Sequence, residues 1–376
     1  MGLFNFDNLP VNTLVGADWK TFSKVSRGEE IGRTCRSKYL LTMYVCAIMN
    51  PFYKINEAKY SSLMKKLASG RLSERSMESP VFIIGHWRSG TTFVHNVLSK
   101  DPQFGYCTTY ETVFPHLMLW GRPFFRWCMK SLMPSSRPAD SLELNPDQPQ
   151  EEEFALANLT PYSYYHFWSF PKNIPEFREK YLLMRGLSSE EKEEFSRNVH
   201  KIMELAMYTA PERARRFLSK NPPHTARVRE LLEIYPDAKF IYLVRNPYTV
   251  FKSTMNFIGN TLRTTALQEL SKEELEKQIL ITYKDMYDKY ETDKSLVPQG
   301  NLIEVRFEDF EKDPIAEAGR IYSVLGLGDF ASACPLMESY IAGKRGFHKN
   351  KYVYDAHTMA VVDENWHEAV AKWGYK

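Results

Sequence analysis

Apolar residues gather in three short runs along this chain, and each run ends at a turn rich in glycine or charge. Val81-Phe82-Ile83-Ile84 follows Pro80, Phe240-Ile241-Tyr242-Leu243-Val244 leads into Arg245-Asn246-Pro247, and Asn301-Leu302-Ile303-Glu304-Val305 precedes Arg306-Phe307-Glu308-Asp309-Phe310. Runs this short and this apolar predict strands covered on both faces. Helical spacing fills the intervals. Val228, Leu231, Leu232 and Tyr235 share one face ahead of the second run, and helices are expected over Thr91 to Leu98 and near Ile315 to Leu325. Strands alternating with helices predict βαβ units and a parallel sheet. Residues 1–78 read as a helical N-terminal addition, 79–352 as an α/β domain with helix-rich insertions at 120–200 and 255–295, and 353–376 as a C-terminal tail. The most apolar run, Leu40 to Met49, is about half the length of a membrane span and is followed by Pro51. It reads as a buried or surface-docked helix, with the core favoured over a membrane-associated patch.

Composition narrows the partners. Lys and Arg number 49 against 46 Asp and Glu, too even a balance to imply a nucleic-acid surface, so an anion site depends on local placement. The five cysteines (Cys35, Cys46, Cys107, Cys128 and Cys334) are scattered, odd in number and without a C-x-x-C pair. That fits a reduced, cytoplasmic protein better than a disulfide framework. The first residues lack the pattern of a secretory signal, and Phe6 stands where a myristoylation pattern needs Ser or Thr. No transmembrane segment is expected.

The informative segment is Gly85-His86-Trp87-Arg88-Ser89-Gly90-Thr91-Thr92, set between a predicted strand and a predicted helix, where backbone N–H groups and a helix N-terminus make an anion site. Against the phosphate-loop pattern G-x-x-x-x-G-K-[ST], the two glycines and the final hydroxyl are present, but Thr91 replaces the lysine. A nucleoside triphosphatase uses that lysine with Mg²⁺ to offset a polyphosphate. A single 5′-phosphate and a departing sulfonyl group carry less charge, and Arg88 is the cation at hand. The bland reading is a tight turn, with Trp87 packing. A second element, Arg245-Asn246-Pro247 through Ser253, puts an arginine fork where open α/β sheets bind ligands and a hydroxyl two turns into the next helix; alone, it reads equally well as a salt bridge at the sheet edge.

Together the two elements resemble the PAPS-dependent sulfotransferase family (PAPS is 3′-phosphoadenosine-5′-phosphosulfate). That family's loop reads [KR]-x-G-T-T after a strand, and its 3′-phosphate element reads R-[ND]-P-x-x-x-x-x-S. Phe307-Glu308-Asp309 with Asp313-Pro314, and Lys220-Asn221-Pro222, are similar to further family segments, so the resemblance spans roughly residues 80–352. It implies an α/β fold, a P-loop-like three-layer sandwich whose central parallel sheet is flanked by helices and helical insertions. It also implies PAPS as donor, PAP as product and no metal. By resemblance, Arg88, Ser89, Gly90, Thr91 and Thr92 hold the 5′-phosphosulfate, Phe93 stacks on the nucleotide, and Arg245 and Ser253 hold the 3′-phosphate. Lys349 and Lys351, in a degenerate form of the family's basic loop, join them. The loop arginine resembles the branch of bacterial and tyrosylprotein enzymes.

In-line transfer needs a base at the acceptor hydroxyl and cations at the transferring oxygens. Arg88 and Lys220 are the expected cations. The branch's base is a glutamate some twenty residues past the loop arginine, which points to Glu111; Glu152, within Gln150-Glu151-Glu152-Glu153-Phe154, is the rival, with a solvated acidic helix start as the bland reading. The aromatic cluster Tyr162 to Phe170, joined by Phe114, Trp120 and Trp127, reads as core packing or as the lining for an apolar alcohol such as a sterol or lipid; a carbohydrate acceptor fits the same residues. The expected function is therefore sulfonyl transfer to a hydroxyl of a small acceptor. The rivals are a P-loop nucleotide kinase and a non-catalytic nucleotide-binding module.

Overall fold

A computed structural model of the chain describes residues 12–69, 77–132, 145–344 and 353–375. Helices α1 (Trp19–Ser26) and α2 (Arg36–Ala68) precede β1 (Glu78–Ile84), which turns into α3 (Thr91–Leu98). Next come β2 (Phe104–Gly105), α4 (Thr109–Val113), α5 (Arg122–Leu132), α6 (Glu153–Leu159), α7 (Ile174–Phe177) and α8 (Ser189–Thr209). β3 (Arg216–Lys220) and α9 (Val228–Ile234) lead to β4 (Lys239–Val244), α10 (Pro247–Thr265) and α11 (Lys272–Asp293). β5 (Leu302–Arg306) is followed by α12 (Phe307–Lys312), α13 (Pro314–Leu325), α14 (Phe330–Ala342) and α15 (Ala356–Trp373).

The five strands form one sheet in the order β2-β3-β1-β4-β5, and every pairing is parallel. Alternation along β1 shows why the run had to be apolar throughout. Phe82 and Ile84 pack with Phe240, α8 and α9 on one face, while Val81 and Ile83 pack with Val94, Ile241, Ile321 and Met337 on the other. Helices thus cover both faces, as the three-layer α/β expectation requires.

β1 lies between β3 and β4, with Ile83 beside Lys220 and Ile84 beside Tyr242. The carboxyl ends of three strands therefore meet around the turn that leaves β1, the place where ligands bind in open α/β sheets.

Three features differ from the sequence reading. β2 and β3 were not anticipated, because β2 has only two residues and β3, Arg216-Phe217-Leu218-Ser219-Lys220, mixes charge with apolar groups although all five residues are buried. The Leu40 to Met49 run is not a core helix. It belongs to α2, which runs on through Pro51, and Leu40, Leu41, Tyr44 and Ile48 are exposed. Pro51 is tolerated because it and Ala47, whose carbonyl loses its partner, lie on the exposed side where water takes over. Finally, much of the segment read as a tail forms α15, whose Trp366 stacks on Tyr283 with ring centroids 3.8 Å apart and donates to the Leu280 carbonyl.

Candidate active site

The turn after β1 is built so that only particular residues fit. Gly85 has φ +138, and a Cβ there would lie 2.4 Å from the Leu243 carbonyl oxygen; its N–H donates to Thr225 Oγ1 at 2.7 Å. Gly90 caps α3 at φ +94, and a Cβ there would lie 2.0 Å from the Phe307 ring. Arg88, between them, sits at φ +69, a left-handed conformation that costs a non-glycine residue energy and marks a functional constraint. Gly90→Ala is expected to cost about 1–3 kcal/mol in overpacking alone, measured by urea unfolding. An unchanged midpoint would mean that Phe307 moves aside freely.

The two elements singled out in the sequence converge. Arg88 Nε donates to Ser253 Oγ at 2.9 Å, and an Arg245 guanidinium nitrogen donates to the Arg88 carbonyl at 3.1 Å. The Arg88 guanidinium lies 4.9 Å above the Phe257 ring and that of Arg245 4.7 Å above Phe307. The Phe307-Glu308-Asp309 segment acquires a physical role here. Phe307 presses on Gly90 and carries Arg245, while Glu308 accepts from the Asn246 N–H at 2.9 Å and from Tyr375 OH at 2.8 Å. Asn246 in turn caps α10 through the Tyr248 and Thr249 N–H groups. Asp313 caps α13 through the Ala316 N–H, with Pro314 in its first turn.

Lys220 ends β3 on the other side of the loop, fully buried, and its Nζ donates to Glu151 at 2.5 Å. The other Glu151 oxygen accepts from Tyr165 OH, whose oxygen accepts from Trp87 Nε1 at 2.8 Å. Burial and the Glu151 carboxylate push the Tyr165 phenol well above its ordinary range, so it remains a donor. A chain of contacts thus runs from the loop through Tyr165 to Glu151 and Lys220. Glu152 points inward as expected, but its carboxylate accepts from Ser219 and lies 3.4 Å from His224 Nε2. Glu153 is fully buried and paired with Arg227 at 2.7 and 3.0 Å. The acidic triplet is therefore not a solvated helix start.

Glu111 sits elsewhere. It closes the capping box of α4, accepting from the Thr108 N–H at 2.8 Å, and its second oxygen meets Thr209 Oγ1 and Arg122, both at 2.8 Å. Phe93 packs edge-on against Phe310, with centroids 5.7 Å apart. Lys349 and Lys351 lie outside the described residues. Sequence reasoning preferred Glu152 within the glutamate triplet to Glu151, read Tyr165 only as part of the aromatic cluster, and passed over Thr225. Nothing local marks Thr225, whose partner Gly85 lies 140 positions away, and Tyr165 reaches the loop only through Trp87, 78 positions away.

The aromatic cluster is mostly packing, with Tyr165, Phe167, Trp168 and Phe170 almost fully buried. Phe114 and Trp120 do not join it; they pack with Tyr53, Tyr110 and Leu117, and Trp127 is exposed. Even so, Trp87, Tyr164, Phe167, Ile174, Ile258 and Leu275 line a narrow apolar crevice of about 20 Å³, room for a single water molecule. His86 borders it, and burial pushes its imidazole down to about 4 despite the bond to the Trp87 carbonyl, so it stays neutral near pH 7.

The comparisons agree with this arrangement. Residues 80–331 match the sequence profile of the Sulfotransferase family. A relative named omega-hydroxy-beta-dihydromenaquinone-9 sulfotransferase Stf3, from Mycobacterium bovis, is 33% identical over 318 residues, 83% of this chain and 80% of the relative; its Mycobacterium tuberculosis counterpart matches equally. Among solved structures, sulfotransferase STF9 from Mycobacterium avium superposes with a TM-score of 0.70 at 14% identity, covering 99% of both chains. STF1 from Mycobacterium tuberculosis gives 0.57 at 14% identity, covering 92% of this chain and 90% of that one. Likeness at that identity speaks for the fold; the profile and the 33% relative speak for the chemistry. This chain belongs to the sulfotransferase family and is an enzyme of that class.

Proposed function

We propose that this sulfotransferase draws its sulfonyl group from PAPS and delivers it to the hydroxyl of a long, apolar alcohol. The observation that carries the donor half is the joining of two anion-binding elements at one loop, through Arg88 to Ser253 and Arg245 to Arg88. A nucleotide bearing phosphates at both 5′ and 3′ positions needs two such elements in one cleft. The donor set fits it: a turn whose Gly90 leaves no room for a Cβ, hydroxyls of Ser89, Thr91 and Thr92, and the Arg245 fork. Lys349 and Lys351 are proposed to add charge at the 3′-phosphate. Bound there, PAPS supplies a sulfonyl group on a phosphate leaving group.

The residues of the chain do the rest. We assign Arg88 and Lys220 the neutralisation of charge as it develops on the transferring oxygens. We assign the base to Glu151 in preference to Glu111 or Glu152. Glu151 shares Lys220 and, through Tyr165, is tied to the loop residue Trp87, whereas both oxygens of Glu111 are committed to α4, Thr209 and Arg122. The mycobacterial relatives, whose names specify a hydroxylated menaquinone derivative, support an apolar acceptor, and the apolar lining beside Trp87 agrees with it.

Thermal shift and radiolabel transfer test both halves. PAP is expected to raise the melting temperature without metal, and labelled PAPS to label long-chain alcohols ahead of short alcohols and sugars. Stabilisation by Mg·ATP alone would overturn the donor, and labelling confined to sugars would overturn the acceptor.

A further inference from the structure

Helix α2 is apolar on both sides, with Tyr39, Met43, Met49 and Tyr60 packed against the core. Toward the core it presents Lys38, Thr42 and Asn56 beside Cys46 and Tyr53, while Leu40, Leu41, Tyr44, Ile48 and Ile55 are exposed, Ile48 to 65%. At 100° per residue these five fall within about one third of the helix circumference, and they extend over roughly 22 Å of its length. The face does not end at α2. Phe52 stacks on Trp120 and meets Phe125 at 6.0 Å, which continues to Phe124 and Trp127 of α5, exposed to 59% and 63%. Contiguous apolar surface of this kind, with no partner among the described residues, marks an interaction site.

Charge chooses the occupant. Over the whole chain acids and bases nearly balance, yet α2 exposes Arg36, Lys54, Lys59, Lys65 and Lys66 against a single acid, Glu57, which is already paired with Lys201 at 2.8 Å, while Lys38 is buried on the Ala266 carbonyl. Lys59 and Lys66 continue the same stripe past its apolar part. α5 has no acid and three basic residues, of which Arg122 pairs with Glu111 and Arg126 with Asp147. An apolar strip with exposed Trp and Phe beside it and lysines following is the composition of a helix that lies in the plane of an anionic bilayer. No described helix is both long and apolar enough to cross one. We propose that α2 and α5 dock this enzyme on an anionic lipid surface, their apolar side chains entering the acyl boundary and the α2 lysines meeting the headgroups. The surface stands on these two helices and does not depend on the acceptor assigned above.

Vesicle sedimentation tests it with the full chain. Equimolar phosphatidylglycerol and phosphatidylcholine vesicles are expected to bind the wild type, more weakly as salt rises, and phosphatidylcholine vesicles to bind it less. The variant combining Leu41→Glu, Ile48→Glu and Trp127→Glu is expected to lose at least about tenfold in partition, while keeping the PAP-induced thermal shift that reports an intact fold. Where that triple variant fails to fold, Lys59→Gln with Lys66→Gln is expected to weaken binding to anionic vesicles only. Absence of wild-type binding, or binding equal in all variants, would overturn the proposal. So would a dimer, seen by analytical ultracentrifugation, that the triple variant abolishes while vesicle binding persists.

Discussion

Glu151→Gln is expected to lower kcat by about 10²–10⁴, the usual contribution of a positioned base. The amide keeps the size of the carboxylate, and its one oxygen can accept from Lys220 while its NH2 donates to the Tyr165 oxygen, so the fold and the PAP-induced thermal shift should remain. What it cannot do is take the acceptor's proton. KM for the alcohol should change much less than kcat, since the group acts on the reacting hydroxyl and not on the apolar body of the substrate. Glu111→Gln is the control. It breaks a helix cap and an ion pair with Arg122, and is expected to reduce stability with kcat of the folded fraction near wild type. The reverse outcome, an intact rate in Glu151→Gln and a collapsed one in Glu111→Gln, would move the base to Glu111.

The largest stability effect is expected at the neighbouring pair. Glu153 and Arg227 are both wholly buried, and the carboxylate also receives Ser163 Oγ at 2.8 Å, the Tyr164 N–H at 3.2 Å and Asn221 Nδ2 at 2.9 Å. Breaking such a pair from one side strands the other charge without solvent; Glu153→Gln should therefore cost about 3–5 kcal/mol, read from urea unfolding. A loss below 1 kcal/mol would show that Arg227 finds water or another partner.

The pH dependence follows from the same pair. Burial alone would raise the Glu153 carboxyl, but Arg227, with His224 and Asn221, brings it down to about 2 from an ordinary 4.5. Between those values the unfolded chain binds the proton and the folded protein does not. The contribution is therefore whole above pH 4.5 and is lost as pH falls toward 2. Acid unfolding of wild type should be steeper over this interval than that of Glu153→Gln.

The meeting of the two elements to which we assign the donor was legible because their signals are local. Glycines at a strand–helix turn, an arginine just past a buried strand and a hydroxyl two turns on can be read within a dozen residues, and the sheet order then brings the two stretches together. The acceptor side was not. β3 hid because its polar residues are buried against distant partners: Ser219 against Glu152, Lys220 against Glu151, Arg216 against Glu78 and the Ser79 carbonyl. A search for apolar runs passes over a strand whose burial is satisfied by hydrogen bonds. Glu111 was chosen by spacing from Arg88, and spacing cannot show that a capping box takes the carboxylate. The Leu40 to Met49 run misled in the opposite sense, since hydrophobicity alone does not say whether a face meets protein or something outside it.

Glu151, Glu152 and Glu153 stand side by side, yet one answers to Lys220, the next to Ser219 and the third to Arg227. Sliding this stretch by a single position would hand every carboxylate the wrong correspondent at once. Point changes here can separate turnover from folding, whereas an insertion or deletion cannot. Evolution can retune the three letters individually, but it has little freedom to respace them.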